Sequence, residues 1–444
     1  MTISVKKGFF WHILKDYRQI KEPARKACFN IALFAFGWGI GPDTFYSAYL
    51  KTIVDDVLVI GVLSAFFAGI KLLVNLPIGS LDGKVDERRV IRMGKILYAM
   101  SGILYFGAGA IQSVPLLLVA FVINGFANPM VFTTTQSYIR QYSSKATSCR
   151  VFGLYNAAIS ISFIIGSVIA AWLVKFVPLH WFYLAIPIVA LLTLNTEKDL
   201  PEKHTKPILP ELKKIIFKDK IYVKIIKHIK LHDGEFHFTL FILFLAGLID
   251  YVGFIFIPIL ALENNLSLSQ IALIFALMRV PYIMSYAFSD LADKKERNIV
   301  LGITMLMAAI MLGLLATVTS FTAIIITTAG LALALASISS VSAGLLTNLI
   351  KPSERSEITG VQEFLARGGS IVGALAFGFF AEFIGVDRTF GGLAVITAIA
   401  GMLIFTIHMK KKNTTLREVI FNKITHGWNT LRGKKGYTPD VSKV

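Results

Sequence analysis

Residues Pro77–Arg89 read PIGSLDGKVDERR, a short run of charge set between two long apolar segments. A weaker copy, Ser289–Arg297 (SDLADKKER), follows about two hundred residues later in the same setting. A charged turn of one pattern, used twice between apolar runs, points to a duplicated bundle of membrane helices.

Composition agrees. The 444-residue chain is 55% hydrophobic and only 16% charged, against about a quarter charged in soluble domains. Its mean hydropathy is +0.67. Twelve mostly apolar segments are long enough to cross a bilayer as helices: roughly 28–50, 57–81, 90–111, 114–138, 151–175, 179–195, 238–262, 267–290, 299–318, 321–349, 358–384 and 390–409. Open sheet edges are not tolerated in lipid, so strands are excluded and an all-α polytopic fold is expected. If both tails are cytoplasmic, the inner segments carry 38 lysines and arginines and the outer loops only 3, Lys51, Lys175 and Arg388. This bias sets orientation and favours an even number of spans. It also accounts for the net charge of +18 without nucleic acid, because the basic residues flank apolar segments.

The expected organisation is a basic tail (1–27), a six-helix bundle (28–194), a basic linker (195–237), a second six-helix bundle (238–409) and a basic tail (410–444). Met1–Lys26 lacks an apolar run with a small-residue cleavage site, so no signal peptide is expected. Within the linker, Glu211–Lys230 mixes Ile, Val, Phe and Tyr with lysine at near-helical spacing. A basic amphipathic helix on an anionic inner leaflet is the natural reading. Leu416–Leu431 has the same character, and either could instead bind a partner.

The halves echo each other at a shift near 207 residues. Asp43 falls on Asp250, Thr133–Gln136 on Ser340–Ala343, and Arg150–Gly153 with Asn156, Ser160 and Gly166 on Glu357–Gly360 with Glu363, Arg367 and Gly373. Repeats of this kind place the working site at their interface near the midplane.

These features resemble the major facilitator superfamily (MFS), whose signature after spans two and eight runs Gly-x-Leu-x-Asp-Arg/Lys-x-Gly-Arg-Arg/Lys. The first copy here has Gly79, Leu81, Lys84, Arg88 and Arg89, with Gly83 at the Asp position and Asp82 one place early. The second has Leu291, Asp293, Lys294 and Arg297, with Ser289 and Glu296 replacing glycines. The resemblance covers residues 28–409. It implies two pseudo-symmetric six-helix bundles and a secondary transporter working by alternating access. It also implies that Asp82 meets the start of span eleven and Asp293 the start of span five, forming a cytoplasmic gate with Gly79, Lys84, Arg88, Arg150, Lys294 and Arg297. A topological role is the plainer reading for the lysines and Arg89. Span five carries Gly166, Ser167, Ala170 and Ala171, loosely similar to the small-residue stretch of the family's drug/proton antiporters. Close packing of spans five and eight explains these residues equally well.

Charges within spans are costly and mark pathways or pairs. Six stand out: Asp43, Lys71, Asp250, Arg279, Glu363 and Arg367. Asp43, Asp250 and Glu363 are candidates for reversible protonation, with static pairing the alternative for each; Glu363 and Arg367, four apart, favour a fixed pair. Lys71, Arg279 and Arg367 either meet an anionic group on the solute or neutralise the carboxylates. Lys71 lies in the polar stripe Ser64–Ala68–Lys71–Asn75 and Arg279 in Arg279–Tyr282–Tyr286–Ser289, while Asn124–Asn128–Thr135 forms a third. With Gln136 and Asn156, Asn124 and Asn128 complete the polar candidates for solute contact. Among the aromatics, Phe36, Trp38, Phe45, Tyr46, Tyr49, Tyr251 and Phe254 are candidates for the cavity wall, with membrane packing the plainer account of most.

No phosphate-binding loop or other enzyme signature occurs, so neither enzyme chemistry nor a cofactor is expected. Cys28 and Cys149 form no CxxC and are expected as free thiols. His228 and His232 share a helix face, but in a lysine-rich linker they are better read as interfacial than as metal ligands. The expected function is thus a secondary transporter, proton-coupled and slightly favouring export of a small organic solute, acting as a monomer in the cell membrane. The competing readings are an uptake symporter for an anionic metabolite, a lipid flippase, and a transport-dead sensor on the same bundle.

Overall fold

The first apolar segment breaks where its sequence says Gly41-Pro42. Proline lacks an N–H and restricts the residue before it, and the helix α1 (Glu22–Ile40) accordingly gives way to five residues of turn before α2 (Tyr46–Ile53). The Gly39 carbonyl near the break is taken by side chains: Thr44 Oγ1 donates to it at 2.6 Å and Ser167 Oγ at 3.2 Å. A continuous span over 28–50 was the expectation; the structure replaces it with a discontinuous helix whose break carries Asp43.

The computed structural model describes residues 22–81, 83–142, 148–200, 206–230, 234–294, 297–349 and 355–406. After α2 come α3 (Val57–Gly79), α4 (Glu87–Ala110), α5 (Val114–Tyr142) and α6 (Ser148–Leu173). A 3-10 turn (Leu179–Leu184) then leads into α7 (Ala185–Leu192). The connecting segment forms α8 (Ile208–Lys213), a π turn (Lys214–Lys218) and α9 (Ile221–Lys230). The chain continues with α10 (Gly234–Glu263), α11 (Leu268–Lys294), α12 (Arg297–Leu315), α13 (Phe321–Leu349) and α14 (Arg355–Ile384), then α15 (Val386–Thr406). Each of the twelve expected segments is mostly helical as far as the described residues reach, the first with the break at 41–45, and no strand occurs among those residues.

Among the described residues, eight helices are long and apolar enough to cross a membrane: Val57–Gly79, Val114–Ile139, Tyr155–Leu173, Leu179–Lys198, Phe236–Glu263, Phe321–Ser342, Phe364–Ile384 and Val386–Thr406. Two shorter apolar helices, Leu268–Ile283 and Ile299–Leu315, accompany them. Their exposed side chains are large and apolar, among them Trp172, Leu192, Phe379 and Phe383. A soluble protein rarely presents so much apolar surface, and lipid supplies the missing partner.

Neighbour relations recur between the halves. In the first, α1 packs on α6, α3 on α5 and α4 on α5; in the second, α10 packs on α14, α11 on α13 and α12 on α13. The halves meet along α3 against α14 and α6 against α11. At the α3–α14 seam the backbones nearly touch: a Cβ on Gly61 would lie 2.6 Å from the Ala374 carbonyl oxygen and 3.1 Å from Gly378 Cα. Glycine at both positions permits this approach. At the same end, Glu382 accepts the backbone N–H groups of Val57 at 3.2 Å and Leu58 at 3.4 Å, while Asp56 accepts from Val59 at 3.0 Å. The exposed N–H groups opening α3 are thereby capped from both halves.

The charged turn Pro77–Arg89 has its own logic. Gly83 adopts φ +66, a left-handed conformation that glycine takes without strain. Its N–H donates to Glu87 Oε1 at 3.1 Å. Asp86 caps α4, accepting the Arg88 N–H at 3.2 Å, and pairs with the side chains of Arg88 and Arg89. Gly83 is therefore a turn requirement, and a residue the sequence reading passed over, Asp86, organises the arginines.

Candidate functional site

One cavity of about 350 Å³ lies between the halves. Elements from both sides build it. The α1–α2 break supplies Pro42 and Asp43, α3 supplies Lys71, α5 supplies Asn128 and Gln136, and α6 supplies Asn156. From the second half, α10 supplies Asp250 and Tyr251, α11 supplies Arg279 and Tyr282, and α14 supplies Arg367. Five of the six expected span charges thus converge on one space, although they lie on four different helices and the α1–α2 break. The side chain of the sixth, Glu363, lies outside the described residues.

The charges are held in different ways. Tyr282 donates its hydroxyl to Asp250 Oδ1 at 2.8 Å. The Lys71 ammonium sits 3.8 Å from the centroid of the Phe67 ring. The Arg279 guanidinium lies 4.7 Å from the Phe163 ring and 5.6 Å from that of Tyr282. The negative faces of these rings attract the cations. Among the described residues neither Lys71 nor Arg279 makes a direct ion pair. Asp43 is within electrostatic reach of Arg279, Lys71 and Arg367, and its carboxylate accepts no hydrogen bond among the described residues. Three cations and two carboxylates therefore face a space walled largely by aromatic rings, including Trp38, Tyr46, Phe132, Tyr155 and Phe254.

The polar stripes divide. Asn128 and Gln136 line the cavity. Asn124 is fully buried away from it, and neither side-chain atom has a hydrogen-bond partner among the described residues. Asn75 accepts from Thr133 Oγ1 at 2.6 Å, tying α3 to α5, and Ser64 Oγ donates weakly to the Tyr46 hydroxyl at 3.5 Å. Tyr251 donates to the Ser64 carbonyl at 2.9 Å, linking α10 to α3 across the halves. Phe45 and Tyr49 sit in the core instead of the cavity wall: Phe45 packs edge-on against Phe182, and Tyr49 donates to the Tyr105 carbonyl at 2.6 Å.

Of the expected cytoplasmic gate, Gly79 ends α3, and Arg88 engages its own half through Asp86 and the Leu200 carbonyl at 3.2 Å. Lys84 is exposed. Asp82 lies outside the described residues, as do the side chains of Arg150, Asp293, Lys294 and Arg297 and the segments 143–147 and 350–354 where the gate partners were expected. His228 and His232 also fall outside the described side chains, and no cluster with metal-ligand character occurs among the described residues. In α6, Gly166 faces α1 and not α11: a Cβ there would lie 2.6 Å from the Phe36 carbonyl oxygen. Ala170 and Ala171 pack with Phe45, Phe182 and, from α11, Ala272. Packing accounts for the small residues of this helix.

Sequence reading also missed one charge within an apolar segment. Lys95 in α4 is 1% exposed and forms an ion pair with Glu197, which is also 1% exposed, while donating to the Thr193 carbonyl at 2.8 Å. A lone lysine in the apolar run 90–111 was the available signal.

The comparisons with known proteins join this geometry to a family. The Major Facilitator Superfamily model matches residues 27–277 and 239–437. The chain belongs to the major facilitator superfamily. This transporter is similar to an uncharacterised MFS-type transporter of Methanocaldococcus jannaschii, with 23% identity over 366 residues, 80% of this chain and 90% of that one. Its fold is similar to that of the human organic anion transporter MFSD10 (TETRAN), with a TM-score of 0.63 and 12% identity over 87% of this chain and 99% of that one. The MFS protein is thus an integral, multi-pass membrane protein and a secondary transporter.

Proposed function

We propose that the MFS transporter moves a small organic solute through the cavity between two six-helix bundles, residues 28–194 and 238–409, by proton-coupled alternating access in the cell membrane. The observation that carries this is the convergence of Asp43, Asp250, Lys71, Arg279 and Arg367 on one space of about 350 Å³, within the usual range for small-molecule sites. A carboxylate facing several cations changes the cavity's charge when it takes a proton, so proton and solute can compete for or share the same field. Reconstitution in liposomes with an imposed pH gradient and a panel of cationic, neutral and anionic solutes tests it. Flux that ignores the gradient removes the proton coupling, and no flux of any solute removes the transport reading.

A second reading concerns the solute's charge. Lys71 and Arg279 rest on aromatic rings, with no direct carboxylate partner among the described residues. Such cations are available to a carboxylate or phosphate, and the surrounding rings suit an apolar body. This favours an organic anion, the class named for the human protein of similar fold. Preference for cationic over anionic solutes in the same panel would overturn it.

A further inference from the structure

The segment joining the halves does not form the single amphipathic helix expected over Glu211–Lys230. It bends at Asp219–Lys220, where Lys220 adopts φ +46, and its apolar residues divide between two faces. Ile208, Leu212, Ile215 and Ile221 pack under the first half, against residues that include Val74, Ile78, Leu81 and Met130. Ile221 and Tyr222 also reach a cluster containing Leu76 of α3 and Val361 of α14. Ile208 and Leu212 of α8 are therefore spent on the protein, while Leu209 is 62% exposed.

A second apolar set remains without a partner. Phe217 is 74% exposed, and Val223 and Ile226 are about half exposed. Exposed lysines accompany them: Lys213, Lys214, Lys218, Lys220 and Lys227. The position of α9 says what this face meets. The Tyr222 hydroxyl donates to the backbone carbonyl of Leu73, whose own side chain is 58% exposed on an apolar span. The segment thus lies against the flank of α3, beside lipid. That carbonyl is also the one left without its helical donor by Pro77, four residues on. Apolar side chains for the acyl boundary and lysines for anionic headgroups form one complementary face.

We infer that the connecting segment is a lipid-docked brace: its exposed Phe217–Val223–Ile226 face and lysines bind anionic headgroups of the inner leaflet, while Tyr222 holds α3 beside Pro77. The occupant is the anionic leaflet, not a protein. This rests on the orientation set by the lysine and arginine bias and does not depend on the solute.

The test uses the full chain with Cys28→Ala and Cys149→Ala and a spin label at Ile226→Cys. The protein is reconstituted in phosphatidylcholine vesicles with or without phosphatidylglycerol. A label at Leu212→Cys reports the protein-facing side. In phosphatidylglycerol vesicles, label 226 is expected to gain oxygen contact and lose several-fold contact with an aqueous nickel chelate. High salt reverses the change, and replacing the five exposed lysines with glutamine abolishes it; label 212 stays unchanged throughout. Equal chelate contact in both vesicle types overturns the inference, as does protection that persists in the glutamine variant or appears only when a soluble protein is added. Co-elution of each variant with wild type on size exclusion separates these outcomes from misfolding, and none of them depends on transport.

Discussion

Glu382, near the end of α14, accepts the backbone N–H of Val57 at the start of α3, at 3.2 Å. One half of the molecule thereby caps a helix of the other, at the end that the lysine and arginine bias places outside. The contact sits beside the Gly61–Gly378 approach, so it closes that end of the α3–α14 seam. A carboxylate at a helix N-terminus is worth about 0.5–2 kcal/mol. Glu382→Ala is expected to raise the outward-open population roughly 2- to 30-fold, with Glu382→Gln in between. Spin-label distances between positions 55 and 387 report it. Unchanged distances in Glu382→Ala mean the cap does not bias the seam.

The second prediction follows from Pro77. Proline removes the donor for the Leu73 carbonyl, and Tyr222 supplies a hydroxyl instead. Tyr222→Phe leaves that carbonyl without its donor, at about 1–3 kcal/mol. Pro77→Ala restores a backbone N–H, so Tyr222→Phe should cost markedly less in that background. The cycle is read as thermal melting of the purified protein in detergent. Additive losses would show that Tyr222 acts through packing with Leu76 and Val361 alone.

These two contacts show where sequence reading stops. Span positions, the duplicated turn and five cavity charges were legible because hydropathy and the cost of charge in lipid act on each segment by itself. The break at Gly41-Pro42 was also written in the chain, but the unbroken apolar run around it masked it. Glu382 lies near the end of an apolar segment with nothing local to name its partner, and Tyr222 falls within the stretch read as amphipathic. Each finds its partner more than a hundred residues away, a fact of tertiary packing with no local signature. Arg88 of the first turn was assigned outward to a gate, whereas Asp86, three residues past Gly83, takes both Arg88 and Arg89 into a local cap.

Lys95 and Glu197 allow a third test. Their side chains are 2% and 1% exposed, and they join α4 to the turn after α7. Removing one partner strands a buried charge, typically at about 3–5 kcal/mol, whereas replacing both with apolar groups of similar volume is often neutral. Glu197→Gln is expected to lower the melting temperature and yield of folded protein sharply, and Lys95→Met with Glu197→Leu to recover most of the loss. Because neither residue lines the large cavity, the double variant should keep wild-type solute affinity. A double variant as unstable as the single one would mean the pair contributes more than charge balance, for instance through the Thr193 carbonyl that Lys95 also holds.

Asp43 and Asp250 bear on the coupling itself, and their surroundings predict different outcomes. Asp43 accepts no hydrogen bond among the described residues and faces Arg279, Lys71 and Arg367 through space. Its charge repels an anionic solute, and protonation removes that repulsion. Anion binding to wild type should therefore tighten as pH falls through the carboxylate's titration. Asp43→Asn fixes the neutral state, so binding should be tight and flat with pH over the same range, and a pH gradient should no longer concentrate solute although exchange persists. Asp250→Asn keeps an oxygen to accept from Tyr282, 2.8 Å away in the native protein, so folding should survive and any loss of coupling belongs to the charge. Solute affinity by calorimetry across pH, paired with gradient-driven and exchange flux in liposomes, separates the two residues. Retention of the wild-type pH slope in Asp43→Asn would move the coupling role to Asp250, and retention in both variants would exclude the pair.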